Sequence, residues 1–206
     1  MAELTNATFN HVVDIIRHNL TGRHATRLEG GRAASVVVAV HEADGAAQYC
    51  LIKRAKRGRN AGQWALPGGK VEAGETRLEA GLREAEEEVA LPGNSVQVLG
   101  CLDDFAARSG FVISAFVVAA PIGWRPTAVS SEVQRAYEFP VAELVSDDVV
   151  QWARVDDGSP LLQLHIRAGT RIHAPTGGIL WQFGQLALLG REVSVAGLRQ
   201  PGFTRR

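Results

Sequence analysis

Three glutamates, Glu84, Glu87 and Glu88, stand at i, i+3 and i+4 in a stretch that reads GKVEAGETRLEAGLREAEEEVAL. On a helix these positions share one face. Carboxylates so placed repel one another, at a cost of roughly 0.2–0.5 kcal/mol per pair. A cation removes that penalty. Oxygen-only ligands suit Mg²⁺ or Mn²⁺. Mg²⁺ keeps several waters and binds substrate phosphates directly, so few protein carboxylates suffice. The chemistry this face points to is the holding of a hard divalent cation against a diphosphate. Glu86 falls between these positions and points elsewhere.

The flanking residues must position that face. Thr76 with Glu79 fits a capping box that starts the helix near residue 76, and Pro92 and Gly93 close it. Leu78, Leu82, Ala85 and Val89 recur at helical spacing and are expected to pack on a core. Before the helix, Leu66-Pro67-Gly68-Gly69 reads as a tight loop. Its paired glycines open backbone conformations closed to other residues and allow close approach to metal or phosphate. The Gly69 carbonyl is thus a further candidate ligand. Arg83 sits beside the acidic cluster and Glu75 lies about two helical turns earlier. An Arg83–Glu75 ion pair would fix loop to helix. A glutamate-rich helix is commonly only a solvated surface; here loop, cap, arginine and acidic face occur together in one register.

The segment from Gly69 to Leu91 resembles the Nudix box, G-x5-E-x7-R-E-U-x-E-E-x-G-U, where U is a bulky apolar residue. Gly69, Glu75, Arg83, Glu84, Glu87, Glu88 and Leu91 match. Ala85 is small at the first U, and Ala90 stands where the pattern has Gly; neither supplies a ligand, so local repacking is expected. The resemblance implies an α/β/α sandwich with a mixed sheet, and hydrolysis of a diphosphate linked to some moiety X. It also implies that Glu84, Glu87 and Glu88 bind the metal.

A second resemblance flanks the box. The run LIKRAKRGRNAGQWALPGG is similar to the segment before the box in coenzyme A pyrophosphatases of the same superfamily, with Leu51, Arg54, Gly62, Pro67, Gly68 and Gly69 in place. Leu66 replaces Phe, Lys53 lies near a Thr position, and Arg59 is one place out of register. The later runs LDDFAARSGFVISAFV, SSEVQRAYEFPVAEL and ILWQFGQLALL are similar to the same subfamily. From that alignment Glu132 is the candidate outer glutamate, completing the metal site or acting as base. The basic loop Lys53–Asn60 supplies Arg54, Arg57 and Arg59 as candidates for phosphate oxygens, which arginine forks bind bidentately. Arg108, with Ser109 and Gly110, is a candidate pocket residue. Trp64 and Trp181 are read as packing residues.

The expected reaction is metal-assisted hydrolysis of a pyrophosphate bond. Cations on the three glutamates stabilise charge on the bridging oxygen, and an activated water attacks phosphorus. Glu84, Glu87 or Glu132 could take the proton. Coenzyme A or an acyl-coenzyme A is the first candidate substrate. ADP-ribose, nucleoside-diphosphate sugars and modified nucleoside triphosphates are alternatives. A non-catalytic binding domain is a third reading, against which the intact carboxylates speak.

The remaining sequence bounds the setting. At 206 residues the expectation is a single domain, with a core over about 34–190. Apolar residues form 46% and charged residues 21%, as in ordinary soluble proteins. The 22 basic and 22 acidic residues cancel, so nothing global favours nucleic acid or membrane. Cys50 and Cys101 form no disulfide framework or zinc spacing, and a reduced cytoplasmic setting is expected. No secretory segment is read at the N-terminus, and the longest apolar stretch is too short to span a bilayer. Helices are expected at 9–20, 140–145, 161–168 and 178–189, strands at 34–40, 48–54, 96–102 and 111–120, and an irregular acidic segment at 146–160. A homodimer through the N-terminal helix is compatible with this pattern.

Overall fold

Strand alternation builds the frame. In the computed structural model, which describes residues 4, 7–56, 61–154, 160–166 and 169–200, β1 (Arg32–Ala43) carries the β-branched run Val36 to Val38. It turns at Asp44-Gly45, both at positive φ (53° and 82°), into β2 (Ala46–Arg54). Two such residues suit a tight hairpin turn whose twist matches its strands. Val38 and Val40 of β1 and Tyr49 and Leu51 of β2 face one core; Val37, Ala39, Cys50 and Ile52 face a second. Both sheet faces are therefore covered, and the strands read as continuous apolar runs.

The main sheet has eight strands. Its principal order is β3 (Trp64–Ala65), β2, β1, β7 (Phe111–Ala119), β5 (Gln97–Cys101). β4 (Gly68–Lys70) pairs with β1, β6 (Phe105–Ala106) with β7, and β8 (Val133–Pro140) with β2. β1 and β7 run parallel, whereas β1 is antiparallel to β2 and β4, which makes the sheet mixed. On one face lie α1 (Phe9–Leu20) and α3 (Thr176–Gln182), the latter continuing as a π-helical segment Phe183–Leu188. On the other lies α2 (Arg77–Val89). This is the expected α/β/α sandwich. Phe9, Val12, Val13, Ile16 and Leu20 of α1 are buried in the chain's own core. Among the described residues no helix is long and apolar enough to cross a membrane.

Two expectations are corrected. The segment expected as a helix at 161–168 is β10 (Pro160–Ile166), and the irregular acidic segment contains β9 (Val150–Arg154). With β11 (Thr170–His173) they form a separate three-stranded sheet. Leu162, Leu164 and Ile166 are buried in the core while Gln163 and His165 between them are half-buried, so the apolar/polar alternation of this run belongs to a strand with one face on the core.

The box helix shows a third difference. Its buried stripe is Ala80, Gly81, Ala85 and Val89, while Leu78 and Leu82 are only half-buried. Small side chains dominate because α2 lies close to β1: a Cβ added at Gly81 would come within 2.6 Å of Ser35 Oγ. Ala85, the small residue at the first bulky position, is fully buried in that narrow contact. The capping box is present, with Thr76 accepting from Glu79 N and Glu79 accepting from Thr76 N. At the other end Ala90 adopts the left-handed conformation (φ 55°, ψ 35°), and its carbonyl accepts a hydrogen bond from Trp124 Nε1 at 2.9 Å. Only glycine takes that conformation without a Cβ penalty. Ala90→Gly is therefore expected to stabilise the protein by about 0.5–1 kcal/mol, the relief of strain exceeding the extra entropy of the unfolded chain. Thermal denaturation should show a midpoint raised by about 1–4 °C.

Candidate active site

The loop before α2 is pinned to the sheet by backbone. β4 pairs with β1 in the register Ser35↔Gly69 and Val36↔Gly68. Gly68 has φ 148°, and a Cβ there would collide with the Ser35 carbonyl. At Gly69 a Cβ would strike the Glu84 carboxylate. Gly68 is required because its neighbour there is backbone, whereas Gly69 leaves room for the Glu84 carboxylate to lie where it does.

The three glutamates are graded in depth. Glu88 is the deepest, only 4% exposed, with Oε2 accepting from Gly68 N at 2.9 Å. Arg54 Nη1 approaches its other oxygen at 3.8 Å, beyond hydrogen-bonding distance. Burial pushes its pKa up to about 7; the Gly68 N–H and Arg54 oppose the rise, and Glu84 and Glu132 add to it. Glu84 is half-buried against Gly69 and is also raised, again chiefly by burial. Glu87 lies at the outer edge, its side chain 59% exposed and 3.4 Å from Arg83.

Arg83 holds the assembly together. Its Nε and Nη2 donate to the two oxygens of Glu75 at 3.1 and 3.0 Å, and Nη2 also reaches the Lys70 carbonyl at 3.3 Å. Nη1 lies 3.2 Å from Glu84. These bonds hold the Glu75 carboxyl below the usual range, Arg83 contributing most. The ion pair expected between loop and helix is thus present. Glu132 is brought to the same place by strand pairing: Ala55 N donates to its carbonyl at 2.8 Å, and its carboxylate lies 3.2 Å from Arg54 Nη2.

The other candidates divide. Arg54 stands between Glu88 and Glu132. Arg57 and Arg59 lie outside the described residues. Arg108 donates through Nη1 to the Gln200 carbonyl at 3.0 Å and lines a different cavity, with Asp103 and Asp104. Its neighbour Ser109 lines the cleft beside the box. That cleft, about 280 Å³, runs from Arg54, Gly68 and Gly69 to an apolar wall that includes Trp64, Phe111 and Ile179. Trp64 packs edge-on against Tyr137 and Phe139 and also forms part of this wall, so packing alone does not describe it. Trp181 packs against the core and against Trp152.

Sequence reading also missed the anchor of α2. Arg77, its first residue, donates to Asp104 Oδ2 and to Ser114 Oγ, both at 2.7 Å. Asp104 accepts further bonds from Arg27 at 2.7 Å and Leu28 N at 3.0 Å. Burial opposes ionisation of Asp104, but the bonds from Ser114, Leu28 and Arg27 outweigh it and keep its carboxyl low. The adjacent acids Asp103-Asp104 inside an apolar run were the available signal.

Among the described residues no three acidic, His or Cys groups stand close enough to enclose an ion by themselves. The donors nonetheless fit a hard cation. Glu84, Glu88 and the Gly69 carbonyl are all oxygen, and the deepest carboxylate lacks a full counter-charge. A site with few protein ligands leaves room for water and phosphate oxygens.

Comparison with known proteins agrees with this geometry. The family model for the NUDIX domain matches residues 31–157. A protein of Citrobacter koseri named "Uncharacterized Nudix hydrolase NudL" is 32% identical over 143 residues, covering 69% of this chain and 72% of that protein. Its namesake in Yersinia enterocolitica is 37% identical over 101 residues, 48% of this chain and 52% of that one. The Klebsiella pneumoniae namesake is 40% identical over 86 residues, 41% and 45% of the two chains. The chain thus spans about half the length of several curated relatives that it matches. The solved structure titled "Crystal structure of a Nudix Hydrolase from M. Smegmatis, RenU" shares the fold with a TM-score of 0.53, 20% identity, and coverage of 81% of this chain and 91% of that one.

The electrostatics of Glu88 can be read by stability. A carboxyl whose folded pKa is raised contributes stability that is full below its unfolded pKa, near 4.3, and lost as pH rises through about 7. Metal-free protein should therefore lose part of its thermal stability between pH 5 and pH 8. Glu88→Gln, which keeps an oxygen for Gly68 N–H, should melt higher than wild type at pH 8 and alike at pH 5. Equal midpoints at both values would refute the uncompensated carboxylate.

Proposed function

Because the chain belongs to the NUDIX domain family, and is one of its pyrophosphohydrolases, we propose that its substrate is coenzyme A or an acyl-coenzyme A, cleaved at the diphosphate with Mg²⁺ or Mn²⁺. The observation that carries the site is the Glu88 carboxylate, buried and bonded to the N–H of Gly68, which with Gly69 and Arg54 lines the cleft. Support for the substrate comes from the segment Leu51–Gly69, which is similar to coenzyme A pyrophosphatases. A further support is the apolar wall of Trp64, Phe111 and Ile179, which offers an elongated X a surface to lie on.

In this reading Glu84, Glu88 and the Gly69 carbonyl would hold a divalent ion, with Glu87 at its outer edge. The ion would supply the charge that stabilises oxygens of the breaking diphosphate. Arg83 keeps Glu84 directed at Gly69 through its bond to Glu75. Arg54 is placed to meet a phosphate oxygen once Glu88 faces the ion. Glu132 is exposed and free of deep burial, which suits a group that takes a proton from the attacking water and passes it to solvent. Coenzyme A would yield adenosine 3′,5′-bisphosphate and phosphopantetheine.

Glu84→Gln and Glu88→Gln are each expected to lower kcat/KM about 10²–10³-fold while leaving a folded protein. Wild-type rates in both would contradict the site. A panel of coenzyme A, ADP-ribose, nucleoside-diphosphate sugars and nucleoside triphosphates, assayed with Mg²⁺ or Mn²⁺, tests the substrate. Turnover confined to triphosphates would overturn coenzyme A.

A further inference from the structure

A second cavity, of about 250 Å³, adjoins the cleft. Gln63, Trp64 and Thr176 line both. The remaining wall comes from Lys53, Gly62 and the strand β11 with its loop, including Arg171 and His173. Among the described residues no acidic side chain lines it. Strand alternation explains the division: Arg54 turns toward the box, and Lys53, its neighbour, lies over the Trp64 ring at 4.6 Å. Directly opposite Lys53 on β8 is Arg135, stacked on Tyr137 at 5.1 Å.

Like charges directly opposite on a sheet are destabilising. Here Lys53, Arg135 and Arg171 make no ion pair with any carboxylate among the described residues. The aromatic rings offset part of the repulsion. The charge of Arg171 also adds to the burial that holds the His173 imidazole below its usual range. A built cavity that gathers cations and excludes acids is arranged for an anion.

We infer that Lys53, Arg171 and His173 form an anion subsite, across Trp64 from the box, for a phosphate monoester carried on X. The inference rests on the reading that the box cleaves a diphosphate linked to X. A phosphate monoester brings close to two negative charges and three acceptor oxygens. It matches two permanent cations and an imidazole better than a carboxylate does, and Arg171 offers the planar fork that phosphate accepts. The shared wall lets one elongated ligand occupy both cavities.

The test uses the full chain and two substrates that differ by one phosphate monoester, coenzyme A and 3′-dephospho-coenzyme A. Wild type is expected to favour the phosphorylated compound in kcat/KM, and Arg171→Gln to reduce that preference about tenfold. A preference absent in wild type, or unchanged by Arg171→Gln, overturns the subsite. In parallel, inorganic phosphate is titrated while the His173 ring protons are followed by NMR. A saturable shift in wild type that is lost in Arg171→Gln supports the subsite; no shift overturns it. If neither compound is hydrolysed, the diphosphatase reading falls, and the phosphate titration alone decides the subsite.

Discussion

Everything at this site depends on how closely α2 can approach the paired strands β1 and β4. Gly68, Gly69 and Gly81 each occupy a place where a Cβ would meet Ser35 or Glu84. With no side chain between them, the helix carries its carboxylates down to the loop backbone. Glu88 Oε2 can then accept from Gly68 N, and Glu84 can lie against Gly69. A bulkier residue at Gly68 would collide with the Ser35 backbone, one at Gly69 would displace the Glu84 carboxylate, and one at Gly81 would press on the Ser35 hydroxyl. The same closeness explains why Ala80 and Ala85 fill the contact that larger residues occupy elsewhere.

Closeness has an electrostatic cost, and the surrounding charges limit it without cancelling it. Arg83 is satisfied mainly by Glu75, so it steadies Glu84 without neutralising the deep carboxylate. Arg54 divides its attention between Glu132 and Glu88 and bonds properly only to the first. Glu88 is therefore left buried with one backbone N–H as its firm partner. Removing charge from water is expensive unless a counter-charge is supplied. In a family whose members generally use divalent metal ions, that vacancy of charge is readily understood.

Much of this was legible in the chain. Glutamate spacing, the Thr76–Glu79 box and the Arg83–Glu75 pair are local, and local geometry is what periodicity encodes. The mixed sheet followed from the family resemblance and the apolar strands. The ranking of Glu88 over Glu84 and Glu87 was not legible, because depth depends on which strand lies beneath the helix. The anchor of Arg77 on Asp104 spans 27 residues and needs the sheet to bring its partners together. The run at 162–166 does alternate, with Leu162, Leu164 and Ile166 buried and Gln163 and His165 between them half-buried, so its strand was legible and the helical expectation passed over that period. Lys53 and Arg54 looked alike within one basic loop; only strand pairing sends one toward the box and the other over Trp64.

The central claim is that Glu88, Glu84 and the Gly69 carbonyl form the seat of a divalent cation. Crystals of the protein grown with Mn²⁺ and a non-hydrolysable diphosphate, measured at the manganese absorption edge, test it directly. The account predicts an anomalous peak bonded to a Glu88 oxygen, with Glu84 or the Gly69 carbonyl as a second ligand and diphosphate oxygens completing the shell. A manganese site away from Glu88, or diphosphate bound in the cleft with no metal beside it, would contradict the account.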